Sequence, residues 1–355
     1  MKNLMLSICI PVRDDLSNLK QCLDGFKDQD LSECEILVCD DGGASPLTTS
    51  DVQAVGVEFT LISQAAQGPS AARNHMARVA AGTYLFFVDA DTVPHFDMIE
   101  RARKIIVEHP ELEVFYGSYD DKPADHSLIS FYKNLLHHHT HHQSANHKER
   151  ITTFWCGCGV IRRELYLECG GLSEFYVKPS IEDIELGARL SAQGIHIDIF
   201  PQLQVKHLKN WTLRTWLYTD LFQRGIPWVR LMRARSEWAS QLNFSWSQRI
   251  ASLAVLALVL CIPLAATRPG FALAGLLAFM VFLIPNFSFI DLVRRKRGLV
   301  GALAIIPLHA VYALVCVASV GGAFFCPPLK LSPTSKLQSL RESSITRVTD
   351  RTSRT

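Results

Sequence analysis

Short apolar runs alternate with polar, helix-like stretches through the first half of the chain. Residues 6–12, Leu6-Ser7-Ile8-Cys9-Ile10-Pro11-Val12, read as a first strand, and Asp14 or Asp15 can cap a helix that runs to about Lys27. A second strand over 35–39 ends in Asp40-Asp41-Gly42-Gly43, a third covers 57–62, and a helix opens after Gly68-Pro69-Ser70. The run Tyr84-Leu85-Phe86-Phe87-Val88 then meets two carboxylates in Asp89-Ala90-Asp91, with Pro94 placed to open the next helix. Strands and helices joined by short loops predict an α/β fold with a mostly parallel sheet flanked by helices. The acidic pairs then collect at the C-terminal edge of that sheet, where open α/β folds bind ligands.

The pattern changes after about residue 210. Three stretches carry no Asp, Glu, Lys or Arg: 250–267, 269–290 and 298–329. Each is near or above the roughly 18 to 20 apolar residues that span a bilayer, so about three transmembrane helices are expected. Trp211, Trp216, Trp228, Trp238 and Trp246 precede the first of them, interleaved with Arg214, Arg224, Arg230, Arg233, Arg235 and Arg249. Aromatic and basic residues in that position describe interfacial helices in a headgroup layer, or an amphipathic helix packed on the preceding domain, and both can hold. No cleavable signal precedes the first strand, and Arg294-Arg295-Lys296-Arg297 follows the second apolar stretch. Both features predict a multi-pass protein of the inner (cytoplasmic) membrane whose N-terminal domain is cytoplasmic. The third stretch either puts the tail outside or bends back at Pro307 and Gly321-Gly322. The expected domains are 1–210 catalytic, 211–249 interfacial, 250–329 transmembrane and 330–355 a disordered tail.

Composition narrows the chemistry. A formal net charge of +2 gives no reason to expect nucleic acid as a partner. The ten cysteines lack paired zinc spacing, and Cys156-Gly157-Cys158 reads as small packing residues in a loop. No Gly-x-Gly-x-x-Gly follows the first strand and no Gly-x-x-x-x-Gly-Lys-Ser/Thr occurs, which argues against dinucleotide oxidoreductases and P-loop phosphohydrolases. Asp89 and Asp91 suit a hard divalent cation bridging a diphosphate. Asp28-Gln29-Asp30 repeats the spacing but lies at the polar end of a helical stretch. His137-His138-His139-Thr140-His141-His142, with His147 beyond, lacks the carboxylates that complete a metal site and reads as a solvated or interfacial helix.

Five separated motifs carry a resemblance: Ser7-Ile8-Cys9-Ile10-Pro11-Val12-Arg13, Asp40-Asp41, Gly68-Pro69-Ser70-Ala71-Ala72-Arg73-Asn74, Asp89-Ala90-Asp91 and Glu182-Asp183. In order and approximate spacing they resemble family 2 glycosyltransferases with the GT-A fold, over roughly residues 5–230. Gly117–Asp121, Phe154–Gly159, Ile181–Gly187 and His207–Trp211 look like a bacterial membrane-anchored branch. The resemblance implies an inverting, hexosyltransferase-type enzyme that uses a nucleotide-diphospho-sugar donor and a divalent metal, Mn or Mg.

It also implies roles. Asp40 or Asp41 receives the base and ribose, with Pro11, Arg13, Arg73 and Asp89 completing the donor site. Asp91 and His207 bind the metal, which stabilises the charge developing on the leaving nucleoside diphosphate. Asp183, with Glu182 beside it, is the general base that takes the proton of the acceptor hydroxyl. Trp155, Gly157, Cys158, Gln223, Arg224 and Trp228 mark the acceptor region. The residues themselves leave bland readings open: an ordinary turn for Asp40-Asp41, an ion pair for Arg73, and helix N-terminal carboxylates for Glu182 and Asp183. Processive synthases of the family carry Gln-x-x-Arg-Trp, and Gln223-Arg224-Gly225-Ile226-Pro227-Trp228 keeps the residue types without the spacing. A single transfer to a lipid-linked acceptor, such as a polyprenyl phosphate, or to a glycan is therefore expected. The alternatives are a polysaccharide synthase subunit and a sugar-nucleotide-binding membrane protein without turnover.

Overall fold

A computed structural model describes residues 4–52, 56–146, 151–236, 245–327 and 329. They fall into two compact units, the first made of 4–118 and 151–208, the second of 119–146 and 209–329. Trp238, His147 and the 330–355 tail lie outside the described residues.

The first unit is built on one sheet. Strand β1 (Leu6–Val12) leads to α1 (Leu16–Asp24), whose first turn is capped by the Asp15 carboxylate accepting from Asn18 N–H at 3.3 Å. Then follow β2 (Cys34–Asp40), α2 (Thr49–Val52), β3 (Thr60–Ser63), α3 (Pro69–Val79) and β4 (Tyr84–Val88). β1 pairs in parallel with β2 and β4, and β2 with β3. All five residues of β4 are buried, as a strand covered on both faces requires.

Beyond β4 the sheet is mixed. β5 (Thr92–Pro94), α4 (Met98–Glu108), β6 (Val114–Tyr119), β7 (Cys158–Arg162), α6 (Arg163–Glu168), α7 (Glu182–Ala192) and β8 (Asp198–His207) complete the unit, while α5 (Leu128–Asn146) belongs to the second. The strand order is β3-β2-β1-β4-β7-β6-β8-β5, with β4–β7, β6–β7 and β5–β8 antiparallel. Pro94 ends β5 instead of opening a helix; α4 starts at Met98, after Asp97. The expected short strand at 197–200 and the return at 205–207 are one ten-residue strand, β8. β6 and β8 approach closely enough that a side chain at Gly117 would meet the Leu203 carbonyl.

The second unit is helical. It contains α5 (Leu128–Asn146), α8 (Leu213–Tyr218) with a Thr212/Thr215 capping box, a π-helical turn over Thr219–Gly225, α9 (Ile226–Arg235), α10 (Trp246–Ala265) and α11 (Gly270–Phe324). α11 has non-helical backbone at Gly298 (φ 70°, ψ −174°), so it consists of two apolar arms, and with α10 these correspond to the three charge-free stretches. α10 and α11 are long and apolar enough to cross a membrane. Trp211 and Trp216 are buried with Phe289, Val293 and Ile305, and Val229 and Met232 with Ala323, so this Trp-rich stretch packs on α11. Trp246 alone of the described group is largely exposed, at 68%.

Candidate active site

The sheet edge is assembled from strand ends and helix starts of the first unit. Near the end of β1 Pro11 is half-buried; after it Arg13 is exposed, and Asp14 adopts φ 53° while its carboxylate accepts from Ala44 N–H at 2.6 Å. At the end of β2, Asp40 and Asp41 are both buried. Asp40 accepts from Leu47 N–H at 2.9 Å. Asp41 accepts from Gln64 Nε2 and Gln67 N–H through Oδ1, at 2.9 Å each, and from Gly68 N–H through Oδ2 at 2.8 Å. A carboxylate offers about four lone-pair sites, so Asp41 is largely committed to shaping the loop before α3. That loop ends at Gly68, whose φ of 96° and contact with the Val177 carbonyl leave no room for a side chain.

α3, started by Pro69, carries Arg73 into the interior, where its guanidinium is 5% exposed. Arg73 Nη2 donates to Asp89 Oδ1 at 2.5 Å, and Nη1 lies 3.6 Å from Glu182 Oε1. Burial works against the cation, yet the carboxylates of Asp89, Glu182 and Asp183 around it more than offset that and raise its pKa. The Asp89 carbonyl accepts from Thr92 N–H and Thr92 Oγ1 at 3.1 and 2.7 Å, closing the turn from β4 into β5.

β5 is only three residues long but fixes the register. Thr92 lies opposite His207, and Leu208 N–H donates to the Asp91 carbonyl at 2.8 Å. The outcome is His207 Nε2 3.8 Å from Asp91 Oδ2, with the imidazole buried and the carboxylate 29% exposed. Among the described residues no group of three or more His, Cys, Asp or Glu side chains is placed to hold a metal ion by itself. An imidazole nitrogen facing a half-exposed carboxylate suits a cation that draws its remaining ligands from a diphosphate, the way Mg²⁺ is usually held, so the donor set fits.

The third side comes from α7 and the segment before β7. α7 opens with Glu182, Asp183 and Glu185 in its first turn, where the helix dipole favours carboxylates. Glu182 Oε2 accepts from Ser180 N–H at 2.8 Å. Asp183 Oδ2 accepts from Cys156 N–H at 3.4 Å, a contact possible because Gly187 lets the backbone of Thr153 and Phe154 lie directly on α7. Cys156 and Cys158 are buried, and burial raises both thiol pKa values, so they are neutral packing groups. Half-buried Trp155 folds its indole over Gly157.

The structure thus brings Asp89, Glu182 and Asp183 together around the Arg73 guanidinium, with Asp91 on the adjoining turn and His207 facing it from the end of β8. Gln223 and Arg224 lie on the π-helical turn and Trp228 on α9, in the second unit. The Asp30 decoy accepts from Ser32 N–H and pairs with Arg103 at 2.7 Å, a local structural role. Not anticipated from sequence were Gln64, Gln67 and Gly68 on Asp41, and the buried anchor of the loop before α7. There Asn74 Nδ2 donates to the Leu172 carbonyl at 2.9 Å, and Arg189 donates to the Cys169 and Gly171 carbonyls. Only the Gly-Gly and Glu-x-x-x-Arg patterns hinted at the latter.

Residues 7–170 match the family model described as Glycosyl transferase family 2. The glycosyltransferase GlyA of Streptococcus pneumoniae is 31% identical over 116 residues, covering 32% of this chain and 16% of that protein. The uncharacterized glycosyltransferase EpsJ of Bacillus subtilis is 32% identical over 124 residues, 33% of this chain and 36% of that protein. The chain therefore spans well under half the length of these curated relatives. Among solved structures, the mannosyltransferase PcManGT from Pyrobaculum calidifontis, in complex with GDP-Man and Mn2+, superposes with a TM-score of 0.54 at 15% identity over 91% of this chain and 88% of its own. Over residues 7–170 the chain is thus similar to glycosyl transferase family 2, and it is built on a GT-A-like fold.

Proposed function

We propose that the chain is an inverting, metal-dependent glycosyltransferase. It moves a sugar from a nucleotide-diphospho-sugar to a lipid-linked acceptor at the cytoplasmic face of a membrane. The observation that carries this reading is Asp91 facing His207 at 3.8 Å, beside a turn whose Asp89 shares the Arg73 guanidinium with Glu182 next to Asp183 at the start of α7, at the edge of a GT-A sheet.

Asp91 and His207 would hold a divalent cation, Mn²⁺ or Mg²⁺, which when bound neutralises charge on the departing nucleoside diphosphate. Asp183 takes the proton of the acceptor hydroxyl as its oxygen attacks the anomeric carbon from the face opposite the leaving group. The glycosidic bond forms as the bond to the diphosphate breaks, and the configuration inverts. The Cys156 N–H orients the Asp183 carboxylate for that role. Asp40 has more free acceptor capacity than Asp41 for the base and ribose, since one protein donor is recorded on it against three. The exposed apolar side chains of α10 and α11, such as Leu276 (52%), Ile284 (73%) and Val300 (81%), support a lipid-facing surface and hence a lipid-borne acceptor.

The test is a thermal-shift panel of UDP- and GDP-linked sugars on the full chain, with and without manganese. One donor should raise the melting temperature only with the metal and be hydrolysed slowly to nucleoside diphosphate. Stabilisation without any turnover would favour a non-catalytic binding protein, and the absence of both would overturn the reading.

A further inference from the structure

The sequence reads Arg73 as a donor to diphosphate or to the Asp cluster, or as a structural ion pair, and its surroundings show which carboxylates it holds. It is buried between two carboxylates that belong to different parts of the fold. Nη2 holds Asp89, at the turn that carries Asp91, at 2.5 Å; Nη1 faces Glu182, at the start of the helix that carries Asp183, at 3.6 Å. Nε and Nη1 make no hydrogen bond among the described residues. Glu182 in turn fixes the end of the preceding loop through Ser180 N–H. The planar fork of a guanidinium can address two carboxylates at once, whereas a lysine ammonium is a single point of charge.

We infer that Arg73 is a positioning residue that couples the donor side of the site to the base side. By holding Asp89 and Glu182 on one rigid group it sets the place of Asp183 relative to the Asp91 turn, without itself touching the reacting atoms. This rests on the functional reading above. It also accounts for a cation buried at 5% exposure where a surface arginine would serve simple donor capture. The loose 3.6 Å contact to Glu182, made by an Nη1 that forms no hydrogen bond, marks the arm of the link that can tighten when the site fills.

The experiment compares Arg73→Lys, Glu182→Gln and the double variant as full-length protein in detergent, using the nucleotide sugar and manganese identified by the thermal-shift panel. Three quantities are read: melting temperature, donor dissociation constant, and the rate of donor hydrolysis at saturating donor. Arg73→Lys should fold, keep donor affinity within about threefold, and lose about tenfold or more in the saturated rate. Glu182→Gln should reproduce that split, and the double variant should lose no more than the worse single one, because both break the same link. Weakened donor binding with a preserved saturated rate would make Arg73 a donor-site residue and overturn the inference. So would multiplicative losses in the double variant. Should Arg73→Lys fail to fold, Glu182→Gln alone decides, with an unchanged saturated rate overturning the coupling. A wild-type chain that neither binds nor hydrolyses any nucleotide sugar overturns the functional reading itself, and the coupling with it.

Discussion

The two units place polarity in opposite positions. In the first, the interior is apolar: β1 and β4 bury Leu6, Ile8, Ile10, Phe86 and Phe87, and buried charge gathers at one edge around Arg73. In the second, large apolar side chains face outward along α10 and α11 while polar groups are buried and joined. Tyr132 Oη meets His309 Nδ1 at 2.9 Å, His309 Nε2 meets Asn286 Oδ1 at 2.8 Å, and Gln248 Nε2 donates to the same oxygen at 2.9 Å. Asn286 Nδ2 donates to the Phe282 carbonyl, so Oδ1 is the acceptor, Nε2 of His309 carries the proton, and Nδ1 accepts from Tyr132. Nearby, Lys133 and Trp216 both donate to buried Asp220, at 2.6 and 2.7 Å. The first unit hides its apolar groups and gathers charge at one edge; the second turns apolar side chains outward and satisfies its polar groups inside, the arrangement that a nonpolar solvent requires.

The sharpest break of that comparison is at the chemical edge. Asp91→Asn removes charge without volume, and turnover should fall by more than about a hundredfold with the melting temperature nearly unchanged, while Asp28→Asn serves as a harmless control. Equal activity in both would remove Asp91 from the metal assignment. Asp183→Asn should cost roughly a hundredfold in saturated rate at unchanged donor affinity, since the amide oxygen can still accept from Cys156 N–H while no base remains. Asp41→Asn should behave as a folding variant. An amide nitrogen facing N–H donors of the 64–68 loop is expected to lower stability by about 1–3 kcal/mol, readable by thermal melting.

Much of the acidic sheet edge was legible because strands that end in carboxylates announce themselves. β1, the Asp15 cap and the Asp89–Asp91 turn follow from apolar runs meeting acidic residues. The second half of the sheet was not, for identifiable reasons. β5 is too short to show a period, and Pro94 suggested a helix start. β8 is interrupted in sequence by Pro201, which the strand tolerates where β5, covering only Val205–His207, supplies no ladder partner on that side. The Arg73–Glu182 pair and the three donors on Asp41 join residues far apart in the chain, and no spacing rule reaches them. In the helical unit the apolar stretches were plain, and the burial of Trp211 and Trp216 was not, because a Trp-and-Arg stretch reads alike whether it meets lipid or protein.

On the helical side, the buried network should resist truncation. His309→Leu leaves the Asn286 oxygen short of a donor and Tyr132 Oη without its acceptor, and Tyr132→Phe strands one ring nitrogen. Losses of about 1–3 kcal/mol are expected for His309→Leu and about 1 kcal/mol for Tyr132→Phe, measured as melting shifts in detergent. A gain in stability for His309→Leu would mean the interior of this unit tolerates an apolar core as readily as the first unit does. The contrast between the units would then not extend to their energetics.

The smallest expected effect is a pH dependence that belongs to the second unit. His139 on α5 faces His138, His142, Gln143 and Ser288, with its Nε2 3.0 Å from Ser288 Oγ and its ring 5.4 Å from Phe289. Burial, helped by the neighbouring His138 and His142, pushes its pKa down from 6.5 to about 4. Burial lowers that of His142 as well. The folded chain therefore binds fewer protons than the unfolded chain below pH 6.5. The stabilisation is fully present above that value and is lost as the pH falls through the window from 6.5 to about 4. Acid also protonates carboxylates elsewhere, so the informative quantity is the difference between wild type and His139→Gln. That difference should be flat above pH 6.5 and change by about 1 kcal/mol across the acid window, a modest figure because water reaches the half-buried ring. Parallel melting curves for the two proteins from pH 7 to pH 4 would show that the imidazole titrates as freely folded as unfolded.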